Sequence, residues 1–169
     1  DKKLRIGYMS SDYYCHAMMQ FVLPILEHHN LRNFDIYLYS CNPKQDFTTE
    51  RIKRAIPNFF DCSSMDEYEL ACKIHDDNID ILVDLSGYYA TNRSIGALLF
   101  KPAPIICQYL GFLGTYGMSE VDYIFADEFI IPKEQARYYC EKPLYIDEFM
   151  NRFTFNTEQI VLPNIRSEE

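Results

Sequence analysis

Residues Ile79 to Leu85 (IDILVDL) are almost continuously apolar and stop at Ser86-Gly87. A nearly continuous apolar run of this kind is found in strands covered on both sides, inside a parallel sheet. Parallel neighbours are joined by crossovers of roughly a dozen residues or more, so helices must be interleaved with the strands. The chain supplies them. Leu4 to Ser10 (LRIGYMS) reads as a strand ending at Ser10-Ser11-Asp12, after which Met18, Phe21, Val22, Ile25, Leu26 and His29 recur at helical spacing. Pro24 inside that pattern predicts a kink, or a helix that begins after Met18. Asp35 to Ser40 is a second strand, and Thr48 or Thr49 is placed to cap a helix that carries Ile52, Ala55 and Ile56 and ends before Pro57. Phe59 to Cys62 predicts a short strand. Ser64-Met65-Asp66-Glu67 has the spacing of a capping box that opens a helix through Ile74.

The alternation continues in the second half. A helix is expected over Arg93 to Phe100, a strand over Ile105 to Leu110 after Pro102-Ala103-Pro104, and another over Val121 to Ala126 after a glycine-bearing stretch, Gly111 to Gly117. Lys133 to Tyr139 then reads as a helix and Leu144 to Ile146 as a last short strand. The expected fold is α/β: a Rossmann-like, doubly wound, mostly parallel sheet with helices on both faces. Beyond about Phe149 the periodicity fades, so one domain is expected over 1–149, followed by a tail or linker over 150–169.

Composition narrows the classes of function. The chain has 169 residues, 48% hydrophobic and 24% charged, enough for one core and too apolar for a disordered chain. No apolar run nears the roughly 18 residues of a membrane span. Asp1-Lys2-Lys3-Leu4 leads directly into a strand with none of the regions of a secretory signal, which makes the cytoplasm the expected location. Cys15, Cys41, Cys62, Cys72, Cys107 and Cys140 form no Cys-x-x-Cys pair, and no histidine is spaced to complete a zinc site; buried free thiols and no metal are expected. A net charge of −9 would repel a phosphate backbone, which makes nucleic acid a poor partner.

In open α/β sheets the ligand crevice lies outside the carboxyl ends of the strands, so the segments just after strands are the candidate sites. Ser10 to His16 is the first. Asp12 and His16 set a carboxylate and an imidazole four residues apart, a pair able to polarise or orient a hydroxyl nucleophile. The same two residues would serve as a helix cap and an ordinary first-turn residue, and spacing alone favours those roles. Ser86-Gly87-Tyr88-Tyr89 is the second segment, where Gly87 permits a sharp turn. Gly111 to Gly117 is the third, its glycines offering backbone amides to sugar hydroxyls or a diphosphate. No Walker loop is present, and the first strand-to-helix turn has no glycine cluster, which argues against a self-contained nucleotide site. His28, His29 and His75 read as helix-end residues, and Asp76, Asp77 and Asp80 as a solvated loop and strand entry.

Several of these segments, taken together, carry a resemblance. Leu4-Arg5-Ile6-Gly7-Tyr8-Met9-Ser10-Ser11-Asp12-Tyr13, the run from Ile79 to Tyr88, and Pro102-Ala103-Pro104-Ile105 followed by Tyr109-Leu110-Gly111-Phe112-Leu113-Gly114-Thr115 resemble, in order and spacing, the O-linked N-acetylglucosamine transferases and the related SPINDLY-type protein transferases. Val121-Asp122-Tyr123-Ile124 with Asp127, and Tyr139 to Leu144, extend the likeness to about residue 148. The resemblance implies a GT-B arrangement of two Rossmann-like lobes facing a cleft, with this chain as the first, acceptor-side lobe and the nucleotide-sugar lobe outside it. It implies transfer of a sugar, N-acetylglucosamine, from a UDP-sugar to Ser or Thr of an acceptor polypeptide, with no cofactor or metal and with no activity in this chain alone. By the same resemblance Asp12 and His16 stand beside the reacting centre. Leu110 and Gly111 belong to a loop that contacts the transferred sugar, and Gly114 and Thr115 extend it.

The chain also departs from the family's habits. Ala17-Met18 follow the histidine where Pro-Thr is common, and the loop that usually reads Gly-Tyr-Pro-Gly-Thr-Ser-Gly has Leu113 for the Pro and Tyr116 for the Ser. Two other readings fit the same fold: a flavodoxin-like module that only binds a partner protein, and the lobe of an N-linked glucosyltransferase.

Overall fold

The structure, a computed structural model, describes residues 2–88 and 94–146. Seven strands form one sheet in the order β3-β2-β1-β4-β5-β6-β7. These are β1 (Leu4–Ser10), β2 (Phe34–Ser40), β3 (Phe59–Asp61), β4 (Ile81–Asp84), β5 (Ile105–Gln108), β6 (Tyr123–Ala126) and β7 (Lys142–Tyr145). Every neighbouring pair is parallel. The expected sheet is therefore present, and its strand order is that of a doubly wound Rossmann-like fold. Pro143 lies in β7 at the sheet's edge, the position where a strand residue without an N–H costs no ladder bond.

The crossovers divide between the two faces. Helices α1 (Met19–Glu27) and α2 (Phe47–Ala55) cover one face, where Met19, Val22, Leu26, Ile52 and Ile56 pack with Ile6, Ile36, Leu38 and Val83. Helix α3 (Glu67–Asp76) and a 3-10 helix over Ser94–Phe100 cover the other, where Leu70, Ile74, Ala97 and Leu98 meet Met9, Tyr39, Leu82 and Ile106. The run from Ile79 to Leu85 feeds both cores, Leu82 into one and Val83 and Leu85 into the other, as a strand covered on both faces must.

Local details differ from the sequence expectations for identifiable reasons. Helix α2 is capped by Asp46, not by Thr48 or Thr49: its side chain accepts from the amides of both threonines, and the Thr49 hydroxyl closes the box on the Asp46 amide. Helix α3 likewise opens at Asp66 with Glu69 reaching back, two residues later than the box expected from Ser64 to Glu67. In both cases the residue in extended conformation just before the first helical turn is the aspartate, which is the backbone position an N-cap occupies. Pro24 lies within α1, which starts at Met19 after a first turn closed by three-residue bonds.

Of the helix expected over Lys133 to Tyr139 only a 3-10 turn at Ala136–Tyr138 forms, and the segment after Tyr88 resumes as the 3-10 helix from Ser94. Two of the six cysteines, Cys62 and Cys107, are buried; Cys15 and Cys140 are exposed, and all six are free. Asp77 and Asp80 are not simply solvated: Asp77 accepts the Tyr39 hydroxyl and the Lys73 ammonium, and Asp80 accepts the Arg5 amide, tying the amino-terminal edge of the sheet. His28 bonds the Pro24 carbonyl at the end of α1, whereas His29 turns inward to the Tyr8 hydroxyl. No helix among the described residues is long and apolar enough to cross a membrane. The expected boundary near 149, the tail over 150–169, Tyr89 and the expected helix start at Arg93 lie outside the described residues.

Candidate functional site at the switch point

Strands β1 and β4 are neighbours, and from them the order runs outward in opposite directions. Outside their carboxyl ends is the crevice where open α/β sheets hold ligands. The segments that leave β1, β4 and β5 meet there. Ser11 donates its amide to the Ser86 hydroxyl at 2.9 Å, and the Ser10 and Ser86 hydroxyls lie 3.4 Å apart. All three serines are buried. The third segment is brought in by Gly111, where an added Cβ would lie 1.9 Å from the Leu85 carbonyl oxygen. No side chain fits between these two backbones. Leu110 just before it has φ +70°, a left-handed conformation that costs a non-glycine residue on the order of 1 kcal/mol.

Asp12 and His16 sit on the first of these segments, and four contacts fix it. The Asp12 amide bonds the Ser10 hydroxyl at 3.0 Å, the Tyr13 carbonyl accepts the Thr49 hydroxyl at 2.6 Å, and the Cys15 amide bonds Asp46 at 2.7 Å. The Tyr13 ring is buried, with its hydroxyl on the Tyr8 carbonyl. The cap of α2 therefore holds the segment that carries the carboxylate and the imidazole. Asp12 keeps 15% of its side-chain surface exposed and His16 keeps 40%, so the acid is largely covered and the imidazole remains accessible. Desolvation raises the Asp12 pKa above the ordinary carboxylate value, against the lowering influence of His16.

The two groups are not hydrogen-bonded. His16 Nδ1 lies 3.9 Å from Asp12 Oδ2 and accepts the Met18 amide at 3.3 Å. An Nδ1 that accepts leaves the proton on Nε2, so in this arrangement the ring is a donor. To take a proton at Nε2 it must carry one at Nδ1, and from 3.9 Å Asp12 would have to close by about 1 Å to receive it. The pair thus has the parts of a base and its orienting carboxylate, arranged one small movement from use.

The other four residues taken from the sequence lie on the segment after β5, and much of their polar capacity is used internally. The Gly111 amide bonds the Tyr109 carbonyl at 2.9 Å. The Thr115 hydroxyl donates to Glu141 at 2.7 Å and accepts the amides of Gly117 and Cys140. A Cβ on Gly114 would come within 2.9 Å of the Phe112 ring. Leu110 packs against the core under α1 and α2.

Residues that sequence reasoning passed over do the holding. Asp84, fully buried at the end of β4, accepts the Tyr116 hydroxyl at 2.5 Å and the Gly87 amide at 2.9 Å on one oxygen, with the Ser86 amide 3.5 Å from the other. Burial raises its pKa; the Tyr116 hydroxyl and the two amides oppose that rise, and the Asp12 charge adds to it. Gln108 and Glu141, also buried, bond the segment from Phe112 to Tyr116. The available signal was a polar side chain closing an apolar strand, as in ILVD and IICQ. Among the described residues, no group of three or more His, Cys, Asp or Glu is placed to hold a metal. A cavity of about 510 Å³ opens on the same edge beyond β2 and β3, between Cys41, Cys62, Met65 and Glu67, and is lined by none of the six predicted site residues.

Comparison with known proteins gives a consistent result. The model of glycosyl transferase family 41 matches residues 1–164. A probable UDP-N-acetylglucosamine–peptide N-acetylglucosaminyltransferase of Arabidopsis thaliana, SEC, is 34% identical over 167 residues, which is 96% of this chain and 17% of that protein. The probable transferase SPINDLY of Oryza sativa is 32% identical over 152 residues, 88% of this chain and 16% of that one. The chain thus spans only about 16–17% of the length of these curated relatives. Among solved structures, an O-GlcNAc transferase mutant from Thermobaculum terrenum superposes with a TM-score of 0.83 at 32% identity, over 88% of this chain and 28% of that one.

Proposed function

The chain belongs to glycosyl transferase family 41, and from that membership we propose that the protein it forms part of transfers N-acetylglucosamine from a UDP-sugar to Ser or Thr hydroxyls of a polypeptide, this chain being the acceptor-side lobe of a two-lobed GT-B enzyme. The reading rests on one observation above the rest: at the switch point of the sheet, the segment bearing Asp12 and His16 is stitched through Ser86 to the segment after β4, against which Gly111 packs without a side chain between them. The segment that carries an accessible imidazole and a covered carboxylate thus shares this crevice with the segment assigned to the sugar. His16 relays or orients the acceptor proton, Asp12 takes Nδ1–H when the ring turns to that task, and Leu110, Gly111, Gly114 and Thr115 shape the wall against the sugar. The donor needs no metal in this reading. Its diphosphate is held mainly outside this lobe, and positioning and charge stabilisation supply most of the rate.

The test is mass spectrometry of sugar transfer to a Ser/Thr peptide by the intact protein, unaltered and with His16→Ala or Asp12→Asn. Each substitution is expected to lower kcat/KM at least tenfold, about 1.4 kcal/mol of transition-state stabilisation. Because the Asp12 pKa is raised, one ionisation on the acidic side of the rate profile should lie above the ordinary carboxylate value of about 3.9 and be absent from Asp12→Asn. Full activity in both variants would return the two residues to structural duty, and an unaltered protein without transfer would leave a protein-binding module as the better reading.

A further inference from the structure

The segment from Leu110 to Tyr116 lies at the mouth of the switch-point crevice, yet its central residue, Leu113, has no ring to fix its φ and is 39% exposed. Something else must hold its shape. Gln108, the last residue of β5, is fully buried, and its Nε2 donates to the Phe112 carbonyl at 2.5 Å and to the Gly114 carbonyl at 2.7 Å. Both amide hydrogens are committed, one to each carbonyl flanking the peptide units of Leu113. The carboxamide oxygen faces no donor among the described residues. That is an unfavourable arrangement which an apolar side chain of similar length would avoid, so the contribution of this residue lies in its two donors.

The far end of the segment is pinned independently, the Tyr116 amide by Glu141 at 2.7 Å and its hydroxyl by Asp84. Between a carboxamide on one side and two carboxylates on the other, the backbone over Phe112 to Thr115 has one shape. We infer that Gln108 is a positioning residue for the sugar: by gripping the carbonyls on either side of Leu113, it sets the contour that Leu110, Gly111 and Gly114 present to the transferred hexose, and with it the preference for one sugar over another. This inference rests on the transferase reading above and adds to it a residue that touches no substrate.

Two measurements on the intact protein separate the outcomes. In the first, transfer is followed with UDP-N-acetylglucosamine and with UDP-glucose for the unaltered protein and for Gln108→Met, which fills the same volume and removes both donors. The expected result is a donor KM raised at least fivefold with kcat changed less than twofold, and a ratio of kcat/KM between the two sugars shifted at least fivefold toward unity. Gln108→Glu, whose protonated carboxyl restores one donor, should recover part of the KM as pH is lowered, a response that a purely space-filling role would not give. In the second, the carbonyl 13C shifts of Phe112 and Gly114, the two groups that accept from Gln108, should move in Gln108→Met while those of β1 and β4 stay unchanged. Unmoved carbonyl shifts at Phe112 and Gly114 would overturn the grip, and moved shifts with unchanged KM and sugar ratio would overturn the positioning role. Absence of transfer and of donor binding in the unaltered protein is a different result: it rejects the transferase reading, and this inference with it.

Discussion

A carboxyl group with no exposed surface is either paired with a cation or held neutral, and among the described residues Asp84 has neutral donors around it: the Tyr116 hydroxyl and the amides of Gly87 and Ser86. Its raised pKa makes stability depend on pH in a definite direction. Below the unfolded value of about 3.9 both states carry the proton and nothing is lost. As pH rises from there toward the folded pKa, the unfolded chain releases the proton first, so stability falls until the folded pKa is passed and then levels off. Asp84→Asn should remove that fall. Both close donors bond the same oxygen, Oδ2, so an asparagine oxygen placed there keeps them and loses only the 3.5 Å approach of Ser86. Urea unfolding is expected to show the variant gaining on the unaltered chain between pH 4 and pH 8, and a pH-independent difference would show that Asp84 is ionised throughout. At this scale the sequence is legible where one residue type is demanded by geometry, as at Gly111. It is least legible at Thr115, whose hydroxyl faces Glu141 far along the chain, a pairing no local pattern carries.

Among the elements, α2 does more than cover the sheet. Its cap, Asp46, divides its oxygens between its own first turn and the Cys15 amide, so the start of the helix and the segment bearing Asp12 and His16 share one side chain. Asp46→Ala should cost about 1 kcal/mol of stability, the usual value of a lost cap, read as a lower urea midpoint at unchanged m. It should also speed exchange at the Cys15 and Thr48 amides together. A Cys15 amide that stays protected would mean that Thr49, through the Tyr13 carbonyl, holds the segment unaided. Periodicity locates the helices, but D-F-T-T and S-S-M-D-E-Y-E each offer several capping residues in a row. The choice between them is made by where the preceding strand releases the chain. The expected helix over Lys133 to Tyr139 fails for a related reason. Pro132 and Lys133 accept three-residue bonds from Gln135 and Ala136, and the chain turns toward β7 before a regular helix is established.

At the scale of the whole molecule the topology was open to sequence reasoning because a strand covered on both faces admits few arrangements, and the right-handed crossover between parallel strands removes most of those. In the two-lobed reading proposed above, the donor wall of the cleft lies outside this chain. The carboxyl edge carries Asp12, Asp46, Asp61 and Asp66 on a protein of net charge −9, the turn after β1 is Ser10-Ser11-Asp12 with no glycine cluster, and among the described residues Lys44 lies over the Tyr14 ring. A diphosphate approaching this edge meets like charge and few donors, the reverse of the amide cradle at a phosphate-binding helix start. The 169 residues alone are therefore expected to give no modified peptide with UDP-N-acetylglucosamine and a Ser/Thr peptide, and calorimetric titration with UDP should show no saturable binding up to about 1 mM, a free energy weaker than about −4 kcal/mol. Turnover by this chain, or tight UDP binding to it, would place the donor site on the lobe itself and sink the two-lobed reading, whereas silence here with activity in the intact protein is what a cleft with separate acceptor and donor walls requires.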